Sequence, residues 1–113
     1  MTLKFHQIIT LELNKEGSYT LINGKDINGS ISKTNNSEVL LELNNNEPLR
    51  YSFIKALEGD DGEGSFGIWD CLTEEGVECA FMVKTQIHQI HLHVNRTESM
   101  MFKNIYVYMI IAS

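Results

Sequence analysis

An all-β fold is the expectation: an antiparallel barrel or sandwich of about eight short strands, with room for one short helix. Three observations predict it. Apolar residues alternate with polar ones over most of the chain, the mark of half-buried strands. Glycine, asparagine and acidic residues interrupt that alternation at intervals of about ten residues, as in sandwiches and barrels. No long stretch carries a helical period. The chain has 113 residues, of which 42% are hydrophobic. That length is one domain, residues 1–113, large enough for a single core without metal or disulfide support.

The stretch Phe66 to Lys84 is the clearest hairpin. Glu74-Glu75-Gly76 fits a three-residue loop whose third position takes positive φ, which glycine adopts without a Cβ clash. Counting outward pairs Thr73 with Val77, Cys71 with Cys79, Trp69 with Phe81 and Gly67 with Val83. One face then carries Trp69, Cys71, Val77, Cys79, Phe81 and Val83. Lys15-Glu16-Gly17 repeats the device and sets Leu13 opposite Tyr19 and Leu11 opposite Leu21. Leu3, Phe5, Ile9, Leu11 and Leu13 are then expected to share a buried face. The stretch from Leu11 to Leu21 resembles the opening hairpin of lipocalin-like barrels over about a dozen residues. It lacks the Gly-x-Trp signature of those barrels.

The remaining segments follow in order. Asn23-Gly24 and Asn28-Gly29 predict a tight connection, followed by a short strand around Ile31. Thr34 to Ser37 reads as a turn, and Val39 to Leu43 as a strand. Asn44 to Pro48 breaks the chain. Leu49 to Leu57 alternates as a strand through Leu49, Tyr51 and Phe53. It also fits a helix capped by Asn46, with Pro48 in its first turn. Strand is preferred because every neighbour is β. Glu58 to Gly64 is expected to be an exposed acidic loop. Gln86 to Val94 reads as a strand, with Ile87, Gln89, His91 and His93 on one face. Thr97 to Asn104 is a connection. Ile105 to Ile111 is a strand apolar on both faces, hence central or covered by a partner.

Composition bounds the function. The net charge is −6, with no basic run, which disfavours nucleic acid as a partner. No apolar run is long enough to span a bilayer as a helix, and the alternating N-terminus is unlike a signal peptide. The expected compartment is the cytoplasm, where Cys71 and Cys79 are paired core thiols; an oxidising compartment would allow a disulfide between them.

His91-Leu92-His93 places two imidazoles on one strand face, a spacing that can hold a metal ion. With Glu98 five residues on, His-x-His-x4-Glu resembles part of the first cupin motif. The flanking glycines of that motif are absent, and fifteen residues after Glu98 leave no space for its second motif. The resemblance implies a divalent metal on His91 and His93, completed by Glu98 or His6. Glu58, Asp60, Asp61 and Glu63 lack EF-hand spacing and read as a solvated loop. Cys71 has no basic neighbour or helix N-terminus to activate it as a nucleophile.

The first functional expectation is therefore a non-catalytic β domain without a cofactor. It binds an apolar small ligand or a protein partner, with Tyr51, Phe53, Trp69 and Phe81 lining any cavity. Tyr106, Tyr108 and Met109 would mark a homodimer interface or an edge for a partner. The alternative is a small cupin-like metal-dependent enzyme using His91 and His93. A purely structural role in a larger assembly is the third.

Overall fold

A computed structural model describes residues 2–34, 38–44, 46–60, 62 and 64–111. Eight strands follow one another: β1 Thr2–Leu13, β2 Tyr19–Lys33, β3 Glu38–Leu43, β4 Leu49–Asp60, β5 Ser65–Leu72, β6 Glu78–Lys84, β7 Gln89–Arg96 and β8 Phe102–Ile110. Each pairs antiparallel with the next, and β8 returns to β1, so the sheet closes as a barrel. This up-and-down order resolves the choice between barrel and sandwich. The only helical element among the described residues is a 3-10 turn at Thr85–Ile87, and no described helix is long and apolar enough to cross a membrane.

The two glycine-closed loops form as the turn chemistry requires. Gly76 and Gly17 have φ of +80° and +85°. The amide of Gly76 donates to the Thr73 carbonyl at 2.9 Å, and that of Gly17 to the Asn14 carbonyl at 3.2 Å. The resulting registers are the expected ones, with Cys71 opposite Cys79, Trp69 opposite Phe81, and Leu13 opposite Tyr19.

Four expectations are corrected. First, β2 is one strand of fifteen residues, and its two Asn-Gly pairs are not turns. Gly24 lies opposite Ile9 and Gly29 opposite Phe5, because the long β1 supplies a partner along the whole length. Second, β4 holds the preferred strand at 49–57 but does not end there: it continues through Glu58-Gly59-Asp60, which the acidic, glycine-rich composition marks as loop. The β5 strand extends opposite those three residues and pairs with them. Third, Gln86 to His88 is not strand: His88 closes the 3-10 turn in the left-handed region, with φ of 55°.

The fourth correction matters most. The register of β1 shifts between Phe5 and Gln7 against both of its neighbours. A one-residue irregularity exchanges inner and outer faces. Ile8 and Thr10 therefore turn inward, opposite Tyr108 and Tyr106. Ile9 and Leu11 fall on the outer face, opposite Val107 and Ile105. Similar shifts leave Ile22 of β2 and Ile54 of β4 without a register partner.

The lumen is packed solid through its middle. Phe5, Ile31, Val39, Leu41, Cys71, Phe81, Ile90 and Leu92 are each at most 2% exposed. Phe5 tilts against Tyr108 with ring centroids 4.8 Å apart. Full burial of such side chains stabilises by about 1.5–3 kcal/mol each. The β8 strand pairs with β1 and β7, and its outer residues Ile105 and Val107 are themselves buried, at 8% and 7% exposure.

Candidate functional site, the cavity at one end of the barrel

Short β3 determines where the barrel opens. Its six residues pair with β2 only from Gly29 to Lys33, and with β4 only from Leu49 to Ser52. Tyr19 to Ile27 of β2 therefore overhang without a described strand on their second edge. Between this overhang and the start of β4 the wall gapes, and a cavity of about 330 Å³ enters the lumen.

Ile8, Leu41, Tyr51, Leu92 and Tyr108 form its deeper part. Leu43, Leu49, Val94 and Tyr106 form its upper wall, and Thr10, Asn23 and Lys25 its polar side. Each inward position follows from register. Asn23 and Lys25 pair with Thr10 and Ile8, and paired residues share a face. The volume lies within the range of small-molecule sites, roughly 300–1,000 Å³.

Three tyrosines give the cavity its chemistry. Tyr19 donates its hydroxyl to the Phe102 carbonyl at 2.7 Å on the outside of the barrel. The hydroxyls of Tyr51, Tyr106 and Tyr108 have no hydrogen-bond partner among the described residues. Burial pushes the Tyr51 phenol up to about 12, assisted by the nearby Cys79 and Tyr106. Burial raises Tyr108 too, with Tyr51 and Tyr106 adding to the effect. Both stay protonated at neutral pH and can donate as well as accept.

Of the four residues expected to line a cavity, Tyr51 does so. Phe81 lies beneath it in the solid core, edge-on at 5.1 Å between centroids. Phe53 and Trp69 sit toward the opposite end, where the Lys33 ammonium lies over both rings, 4.5 Å and 5.9 Å from the centroids. Tyr106 and Tyr108, expected at an outer interface, face the lumen, and β8 has strands on both edges. The signal for them was their i, i+2 spacing, which puts both on one face.

His91 and His93 share the outer face of β7, with nearly parallel rings 6.2 Å apart. The Nε2 of His91 lies 2.8 Å from Gln89 Oε1, an acceptor, so Nε2 carries the proton. His93 packs edge-on against Phe102, and its Nε2 is buried without a partner. Burial lowers the pKa of His91 to about 4, with Lys84 and His93 adding to the shift; burial and Lys84 lower His93 as well. The positive charge of Lys84 also opposes a cation at this face. Among the described residues no three His, Cys, Asp or Glu side chains converge, so neither Glu98 nor His6 joins the pair. The strand order also differs from the jelly roll of cupins. Asp61 and Glu63 of the acidic stretch lie outside the described residues.

The fold and site define a small up-and-down β-barrel with an open, tyrosine-bearing lumenal cavity. Comparison with protein-family models, with curated proteins and with solved structures finds no match for this chain.

Proposed function

We propose that this protein is a non-catalytic binding barrel that holds one small, largely apolar molecule in its lumen. The cavity between the β2 overhang and β4 carries this reading. Its leucine-rich wall would gain from burying a ligand's apolar surface, at about 25 cal/mol per Å². The three unengaged tyrosine hydroxyls would orient the ligand. Eight-stranded barrels are of a size that either fills with side chains or holds one small ligand. On this reading the lumen does both, a filled layer lying beneath a layer left open for the ligand.

The reading does not rest on a nucleophile. Cys71 and Cys79 are buried, and burial pushes each thiol up to about 12.

A neutral, environment-sensitive naphthalene dye of the Prodan type tests it. The expected result is saturable binding at one site per chain, with a blue-shifted emission. Leu43 is half-buried on the upper wall, so Leu43→Trp fills the cavity without entering the packed layer. That variant should melt within a few degrees of the parent and lose the dye. Absence of saturable binding to the folded parent would sink the proposal, as would unchanged binding in Leu43→Trp.

A further inference from the structure

We infer that the ligand of this cavity carries an anionic head, met by Lys25, on an aliphatic body; a medium-chain carboxylate has that chemistry. The inference rests on the binding-barrel reading and adds the ligand class to it.

Lys25 lies opposite Ile8 in the β1–β2 register, so its side chain leaves β2 on the lumenal side. It borders the cavity together with Thr10, Asn23 and the three tyrosines. Among the described residues that line the cavity there is no carboxylate, and Lys25 is the only charged one. This holds in a chain with 15 acidic and nine basic side chains, where chance favours the opposite sign. The ion pairs among described residues are Arg50 with Glu38 and Lys55 with Asp70, so Lys25 spends its charge on neither.

The layering supplies the rest. The stem of Lys25 can lie along Ile8 while its ammonium reaches the gap beside Leu43 and Leu49, as long cationic side chains do on apolar surfaces. A carboxylate there would accept a charge-assisted hydrogen bond from Lys25, with the Thr10 hydroxyl and Asn23 amide beside it. The aliphatic tail would run inward over Leu92 and Val94 to Tyr51 and Tyr108. An inward lysine on a strand with an open edge also has a competing use, to discourage pairing with other chains. The two uses predict different results on removing the charge.

The test is calorimetric titration of the full chain with decanoate and with decanol, both below their aggregation limits, on the parent, Lys25→Met and Lys25→Arg. A charge-assisted contact should favour decanoate over decanol by roughly tenfold. Lys25→Met should abolish that preference while keeping decanol affinity, and Lys25→Arg should retain it. Added salt should weaken decanoate only. Lys25→Gln replaces Lys25→Met should the latter self-associate. Equal affinity for the two ligands, or a preference that survives removal of the charge, overturns the head-group inference and leaves the binding barrel intact. Loss of both ligands from the folded parent overturns both.

Discussion

Tyr51 stands edge-on to Phe81, ring centroids 5.1 Å apart at 89°, and this pair divides the lumen into a filled layer and an open one. Phe81 is 0% exposed and Tyr51 8%. Their substitutions should therefore separate stability from binding. Phe81→Ala removes a ring from close-packed surroundings and should cost about 3–5 kcal/mol, much of a small domain's stability. Tyr51→Phe keeps the edge contact and loses only a hydroxyl without a protein partner. It should change stability by under about 1 kcal/mol and weaken the ligand several-fold. Urea melts and dye titration of both variants check this. A stable Phe81→Ala would show that the packed layer is not what holds the barrel.

The two histidines on β7 should make the protein acid-sensitive. His91 titrates near 6.5 when unfolded and at about 4 when folded. Between those values the unfolded chain holds more protons, so stability falls as pH drops from 6.5 toward 4 and levels off below. The groups around the ring are Gln89, Lys84 and His93, with uncharged Met82 and Val107 opposite in the register. Among the described residues no carboxylate compensates the added charge. Because His91 is partly exposed, the effect is discounted to the order of 1 kcal/mol, a few degrees in melting temperature. Melting should fall between pH 7 and pH 5, and His91→Gln should flatten the profile. An unchanged slope in that variant would assign the acid sensitivity elsewhere.

Cys71 and Cys79 face each other across β5 and β6, both buried and both free thiols. With each thiol pushed up to about 12, chiefly by burial, the reactive thiolate is scarce at neutral pH. Iodoacetamide should label neither residue in the folded protein at pH 7.5, and both in denaturant. Intact-mass measurement reads the count directly. Rapid native labelling at Cys71 would mean that the β5–β6 hairpin opens locally.

How far the fold was legible depended on whether a residue type marked the event. The hairpins at Gly17 and Gly76 were readable because positive φ selects glycine, and their registers followed by counting. The register shifts were not readable. Ile22 and Ile54, which have no register partner, are apolar residues of ordinary strand type, and nothing in composition distinguishes them from their neighbours. Each shift reverses a face, so the error passed into the site. Ile8, Thr10 and Lys25 went unread as lining residues, and Ile9 and Leu11 were expected inside. Tyr51 was found because its segment of β4 precedes the Ile54 shift. Tyr106 and Tyr108 lie on a strand apolar on both faces, where alternation carries no direction until the neighbours are known.

Gly29 shows why an Asn-Gly pair can sit inside a strand. It lies opposite Phe5 in the register, and the Phe5 ring folds over it. A Cβ at this position would collide with that ring and with the Glu42 carbonyl oxygen of β3. The glycine is required by close approach and not by a turn, since its φ is not positive. Neither obstacle yields easily. Phe5 is 1% exposed and already packed on Tyr108, and the Glu42 carbonyl belongs to the β2–β3 ladder. Gly29→Ala should therefore destabilise by about 1–3 kcal/mol, as overpacking does, although alanine is ordinarily the less flexible and hence stabilising choice. Gly24, one Asn-Gly pair earlier, has nothing within 4 Å of its would-be Cβ. Gly24→Ala should be neutral or slightly stabilising. Urea midpoints of the two variants decide the matter. Equal midpoints would mean that Phe5 can leave its site over Gly29 at little cost, and that the packed layer beneath the cavity is looser than its burial implies.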